Sequence, residues 1–405
     1  MAAPQDRGSS KESLLTAQSS LVAAQDQGET ADDLLDAGVD EDLDDAQALN
    51  DTSLTFAKKA FIAVAVVFMF FLSFMLGKYS MTPLEVCSVA LGFIPKWFGY
   101  LGAAFPDPAA IMQVISLDVP MDTPERVLFK IRLPRILVVM LVGAALAIAG
   151  ASYQGMFKNP LTSPDLLGAS TGASFGACLA LLLSLSGEYV QLFAFIGGMV
   201  AVGLAVWLNK MVDYDPTLGL VLAGILVSTL FQSGMSLIKL VADADDKLPS
   251  ITFWLMGSFA SINWADFLMC LLPMVFGFVL LVSQSWKLNV LSFVDEEARS
   301  MGVNTRLTRL VVIFASTLVT SISVAVAGVV GWIGLVIPHL ARAIVGPNYK
   351  VLLPTSMFVG AAYLLIVDNM ARLLASVEIP IGILTAILGV PFFIIIFRRN
   401  MKGWS

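Results

Sequence analysis

From residue 60 onward, long apolar runs alternate with short polar breaks. The runs fall near 60–77, 136–157, 166–186, 189–209, 218–242, 265–286, 309–327, 329–345, 352–373 and 381–397. Most are close to the roughly 20 residues that a helix needs to cross about 30 Å of hydrocarbon. Backbone surrounded by lipid must satisfy its own hydrogen bonds, so the pattern predicts an all-α integral membrane protein with ten transmembrane helices. An even number of crossings puts both ends of that bundle on one side.

Two small-residue stripes stand out within the runs. Gly168, Gly172 and Gly176 recur every four residues, as do Gly143, Ala147 and Ala151. Spacing of that kind lets helix backbones approach closely where lipid supplies no hydrophobic drive, so both stripes read as packing seams. In the eighth run, Gly328, Gly331 and Gly334 precede Pro338, His339 and Arg342. That composition predicts a helix broken or kinked near the cytoplasmic face, with the freed backbone groups buried in protein. His339 reads either as a satisfied packing histidine beside a helix end or as a proton relay.

Composition sharpens the picture. Of 405 residues, 57% are hydrophobic and 14% charged, which is membrane rather than soluble composition. The net charge of −7 conceals a division. Residues 1–57 hold 13 acids against Arg7 and Lys11, whereas residues 58–405 hold 18 acids against 22 bases. The expected organisation is an acidic, disordered tail over 1–57 and a ten-helix transmembrane domain over 58–405. The tail does not read as a signal peptide, because no basic start runs into an apolar core. It is either a docking and regulatory tail or a solvated extension. Cys87, Cys178 and Cys270 are far apart, and His339 is the sole histidine; disulfide, metal-ligand and His-based catalytic spacings are all lacking.

Basic residues set the expected orientation. With the N-terminus inside, the inner loops collect Lys58, Lys59, Lys158, Lys210, Lys287, Arg299, Arg306, Arg309, Arg342, Lys350, Arg398, Arg399 and Lys402, and the outer loops keep seven bases, four of them between Arg126 and Arg135. Both termini are therefore expected in the cytoplasm. The chain has no phosphate-binding G-x-x-x-x-G-K-[ST] loop, so it is not expected to hydrolyse ATP. Ionisable groups within the runs are few, among them Lys239, Asp368 and Arg372. Proton-coupled carriers usually need buried acids near the midplane, and a membrane-embedded enzyme needs a polar constellation at one depth. Both alternatives are disfavoured. Asp368 and Arg372 stand four apart and can pair on one helix face.

Four stretches resemble, in order and spacing, the ferric-siderophore, haem and cobalamin permease family of ABC importers. They are Arg132-Leu-Pro-Arg135 followed by VGAALAIAGASYQGMFKNPLTSPDLLGASTGASFGA, LVLAGILVSTLFQS at 220–233 with ITFWLMGSFASINWADF at 251–267, GVVGWIGLVIPHLARAIVG at 328–346, and IPIGILTAILGVPF at 379–392. The likeness covers about residues 56–400.

The resemblance implies a bacterial cytoplasmic-membrane permease of ten helices, working by alternating access on a ferric siderophore or haem, with cobalamin as the alternative cargo. Expected partners are a second copy of the chain, two ABC ATPase subunits that use ATP and magnesium, a periplasmic or lipid-anchored binding protein, and lipid; neither nucleic acid nor a cofactor held by this chain is expected. The resemblance also makes Arg132, Arg135 and Arg372 the arginines that dock the binding protein, as Arg forks suit carboxylates. For Arg132 and Arg135 the other reading is anchoring at the membrane boundary, and for Arg372 it is pairing with Asp368. The segment Asp295, Glu296, Glu297, Ala298, Arg299, Ser300, Met301 and Gly302 is similar to the helix that couples such permeases to their ATPase, although Glu297 stands where that family often has a small residue. Its acids favour a helix start and Gly302 an end. Thr217 and Leu218 fall where relatives narrow the cytoplasmic exit; they also read as a simple turn after Pro216.

Overall fold

A computed structural model of the chain describes residues 64–115, 117–211 and 216–401, with the side chains of 216, 217 and 395–401 left aside. The acidic segment 1–57 lies outside the described residues.

Most of the described backbone is helical, with short connections between the helices. In chain order the helices are α1 (Val64–Met75), α2 (Pro83–Ala104), α3 (Pro108–Ile115), α4 (Thr123–Met156), α5 (Ala169–Leu182), α6 (Gly187–Met211), α7 (Pro216–Val241), α8 (Lys247–Met256), α9 (Trp264–Ser283), α10 (Ser285–Val290), α11 (Asp295–Ser300), α12 (Thr305–Ala327), α13 (Ile333–Val345), α14 (Tyr349–Leu373) and α15 (Ile381–Met401). Seven are long and apolar enough to cross a membrane, and α1, α5, α13 and the Ile381–Ile394 part of α15 are shorter apolar helices.

α4 and α12 form the centre. Over their most apolar windows 83% of residues are buried, against 22% for α7 and 28% for α9. A helix apolar all round belongs in the interior or in lipid, and the two groups divide along that line. The small-residue stripes do what their spacing predicts. A Cβ on Gly143 of α4 would collide with the Gly360 carbonyl of α14, and one on Gly172 of α5 with the Gly197 carbonyl of α6.

α4 also gives the bundle two distinguishable ends. Arg132 lies within its first third and Lys158 just past its last residue. α1 and α14 finish at the arginine end, where the Phe74 and Leu76 carbonyls and Arg372 meet. α12 and α14 begin at the lysine end: Arg309 is 2.9 Å from Asp295, and the Tyr349 amide donates to Asn289 at 2.9 Å.

Against the sequence expectation, two crossings are interrupted. The third is a short 3-10 turn over Pro164–Leu167, a left-handed Gly168 at φ +86°, and only 14 residues of α5. The eighth breaks at Gly328–Trp332, with Gly328 at φ +70° and Trp332 at φ +69°. This break follows α12 and so lies away from the lysine end, while Pro338 sits inside a continuous α13. The expected kink beside Pro338 is thus displaced by several residues. The Ser258 amide donates to the Ala327 carbonyl at 2.9 Å, so the freed backbone is satisfied within protein.

α2 is a helix that the apolar pattern does not count. Its 22 residues would reach about 33 Å, yet it does not cross. Just before it, the Tyr79 carbonyl accepts from Arg132. Towards its far end Lys96 reaches Glu125 at 2.6 Å, Trp97 donates to the Val114 carbonyl at 3.1 Å and Tyr100 to the Pro120 carbonyl at 3.5 Å. Both ends of α2 are tied to residues 114–132, on the arginine side. Ten helices remain as crossings.

Candidate functional site

The arginine end is a buried polar junction. α14 places Asp368, Asn369 and Arg372 on one face by i, i+1, i+4 spacing, and α4 brings Arg132 and Arg135 against it. Arg135 forks between two acids. Its Nε and Nη2 donate to Asp368 Oδ1 at 3.1 and 2.8 Å, and its Nη1 and Nη2 donate to Glu378 Oε1 and Oε2 at 3.0 and 2.9 Å. Arg372 Nε lies 3.2 Å from Asp368 Oδ2, and its other nitrogens donate to the Leu76 carbonyl and to Asn369. Asn369 in turn donates to Ser73 Oγ at 2.6 Å.

Arg132 finds no acid. Its guanidinium donates to the Phe74 and Tyr79 carbonyls, and it fits because residue 77 is glycine: a Cβ there would stand 2.6 Å from Arg132 Nη2. Three guanidiniums therefore face two carboxylates, and Lys78 adds a further cation through the Ser376 carbonyl at 2.7 Å. The junction is net positive. Asp368 has no exposed surface, which its neutralisation by two arginines permits. Glu378 sits in the 374–380 connection outside the spans. Burial would raise its pKa, but the hydrogen bonds and charge of Arg135 outweigh that and hold it below the ordinary glutamate range.

The three arginines singled out in the sequence thus come together, but turned inward: Arg132, Arg135 and Arg372 are all buried and engaged within the chain. Asp368 does pair with Arg372, as its spacing allows. Sequence reasoning missed Ser73, Gly77, Asn369 and Glu378. Glu378 had a signal, being an acid just ahead of the Ile-Pro that opens the last span.

At the lysine end the segment 295–302 folds as a short helix. Asp295, Glu296 and Glu297 fill the first turn of α11, where the free amides favour negative charge. Ala298 packs fully buried against Val290 and Val303. Gly302, at φ +80°, closes the turn; its amide donates to the Arg299 carbonyl at 2.9 Å and the Val303 amide to the Ala298 carbonyl at 3.1 Å. Lys158 donates to the Phe293 carbonyl and Arg309 clamps Asp295 at 2.9 Å, so α11 is fixed to α4 and α12. Glu296, Glu297, Arg299, Ser300 and Met301 remain exposed.

Leu218 lies exposed in the first turn of α7, and the Thr217 side chain lies outside the described residues. His339 donates its Nε2 proton to the Pro160 carbonyl at 2.8 Å and packs edge-on to Phe393, the packing arrangement. Among the described residues no cluster of His, Cys, Asp or Glu could hold a metal, and all three cysteines are free.

Ten apolar crossings, two of them interrupted and enclosed in protein, define a multi-pass permease. The chain belongs to the FecCD transport family, whose model matches residues 63–399. It is 43% identical to the molybdate import system permease protein MolB of Haemophilus influenzae over 281 residues, 69% of this chain and 83% of that one. It is 36% identical to an iron chelatin transport system permease of Helicobacter pylori, strain 26695, across 68% of this chain and 83% of that one, and 35% identical to the hemin transport system permease HmuU of Yersinia pestis, across 70% and 86%. Among solved structures it resembles an inward-facing metal-chelate type ABC transporter, with 36% identity, a TM-score of 0.72, and coverage of 86% of this chain and 99% of that one. The fold and family expected from the sequence are met.

Proposed function

We propose that the chain forms, with a second copy of itself, the translocation path of an ATP-driven importer in the bacterial cytoplasmic membrane. ATP is hydrolysed on a separate subunit seated against α11. The carrying observation is the α11 platform: a short helix with exposed Glu296, Glu297, Arg299 and Ser300, bolted through Lys158 and Asp295–Arg309 to the two most buried helices. Motion delivered there reaches the centre of the bundle without passing through a flexible loop. The excess of Lys and Arg at that end supports a cytoplasmic placement, leaving the net-positive arginine junction outside, where it suits a binding protein with an acidic rim. Arg132, Arg135 and Arg372 then act through the junction's field and geometry rather than as free side chains. Thr217 and Leu218 narrow the exit.

The cargo is a metal-bearing ligand. A ferric chelate or haem is supported by the relatives named for iron chelatin and hemin, and cobalamin by a further relative named for it. The 43% identical relative named for molybdate favours a second reading, a metal oxyanion. Reconstitution with the cognate ATPase and binding protein, followed by uptake of radiolabelled ferric chelate, haem, cobalamin and molybdate, tests both. ATP-dependent accumulation of an iron species is the expected result. Molybdate alone moving replaces the cargo, and uptake driven by a pH gradient without the ATPase overturns the importer reading.

A further inference from the structure

α2 has three faces. Val89, Ala90, Phe93 and Trp97 turn towards the protein, with Phe93 stacked on Phe129 at 4.4 Å. Leu84, Cys87, Leu91, Ile94 and Phe98 follow one another at intervals of three and four, so they lie on one stripe. That stripe is exposed, at 83% for Leu84, 69% for Leu91 and 61% for Phe98, and carries no charge. Glu85, Ser88, Gly92, Lys96 and Gly99 occupy the remaining face, also exposed but polar or small. At 3.6 residues per turn the three faces stand about 120° apart.

We infer that α2 lies along the outer membrane interface on the flank of the bundle, its apolar stripe seated in the lipid leaflet at the arginine end and its polar face in water. Depth supports this. Trp264 opens the crossing helix α9, and its indole N–H donates to the Phe129 carbonyl at 2.8 Å, so Phe129, and Phe93 stacked upon it, lie at the mouth of a span. An apolar groove of about 220 Å³ between Phe93, Trp97, Ile115, Phe129 and Trp264 occupies the same level. Both tryptophans have their N–H satisfied by carbonyls, and rings with one wet end concentrate at this depth. Continuity supports it too: α9 presents exposed Met269, Leu272 and Phe276 below Trp264, so the stripe joins the surface that faces acyl chains. An in-plane helix needs an apolar face and a polar face, and α2 has both with a third side fixed to protein. A soluble partner would meet five apolar side chains and no charge on that stripe.

Cys87 is a native reporter on the stripe, since Cys178 and Cys270 are fully buried. The full-length protein is reconstituted in phosphatidylcholine vesicles, with an environment-sensitive fluorophore on Cys87 or on a Ser88→Cys variant in a Cys87→Ser background. Lipids carrying a nitroxide near the headgroup or near the acyl terminus serve as quenchers. The expected result is blue-shifted emission at Cys87 and severalfold stronger quenching by the shallow nitroxide there than at position 88, which instead reacts with an impermeant maleimide added outside. Equal, weak quenching at both positions overturns the inference in favour of a water-facing or protein-covered stripe. Stronger quenching by the deep nitroxide overturns it in favour of a crossing helix. A Cys87 disulfide between two copies without quenching overturns it in favour of self-association.

Discussion

Asp368 is the residue on which the arginine junction turns. It pairs with both Arg135 and Arg372 in a place without water contact. Asp368→Asn leaves two buried guanidiniums short of charge and is expected to destabilise the protein by about 3–5 kcal/mol, since breaking a buried pair strands the partner; thermal unfolding in detergent reads this. Glu378→Gln is expected to cost less, on the order of 1 kcal/mol, because that carboxylate is partly open to solvent and screened. Acid acts at the same place. The pKa of Glu378 is depressed on folding, so its contribution is present above the unfolded value and lost as pH falls through the folded one. Melting temperature is therefore expected to drop below the ordinary glutamate range, with a shallower drop in Glu378→Gln. The arginines were legible in the sequence because they are rare in apolar surroundings. Their direction was not, because the carbonyls of 74, 76 and 79 and the carboxylate of Glu378 come from segments far along the chain.

For the elements, apolar run length found ten crossings but could not tell an unbroken helix from an interrupted one. Hydropathy counts side chains, whereas the breaks at Gly168 and Gly328–Trp332 are set by left-handed backbone, with the Ser258 amide donating to the Ala327 carbonyl beside the second. α2 escaped the count for the opposite reason. Lys96, Pro95 and three glycines hold even its most apolar 18-residue window to a mean hydropathy of 1.2, although its stripe is wholly apolar. α11 was readable because acids, alanine and glycine occupy the positions that its turn demands. Its packing yields a prediction. Ala298→Leu overfills the niche beside Val290 and Val303 by about 1–3 kcal/mol. It is expected to reduce ATP turnover in the assembled transporter while leaving membrane insertion intact, measured by ATPase assay against a pelleting control. At the α4–α14 seam, Gly143→Leu forces apart backbones that touch at Gly360, and loss of the folded protein on gel filtration is the expected outcome.

Among the described residues the ion pairs gather at the two ends, while the buried helices between them carry uncharged hydroxyls such as Ser316, Thr320 and Ser321 of α12. Transport that depends on an external motor agrees with this, since Asp368, an acid with no exposed surface, is already paired with arginine. α4 runs the full distance between the ends, and over Arg126–Arg132 it is wound as π-helix before tightening at Leu133. A π-turn holds one residue more than an α-turn. Removing a single residue there, Lys130 for instance, lets the segment rewind as α-helix while the stretches on either side keep nearly their original facing. The wide turn is a splice: it absorbs one extra residue, so that Phe129 and the segment before it stay in register with the helix that holds the bundle together.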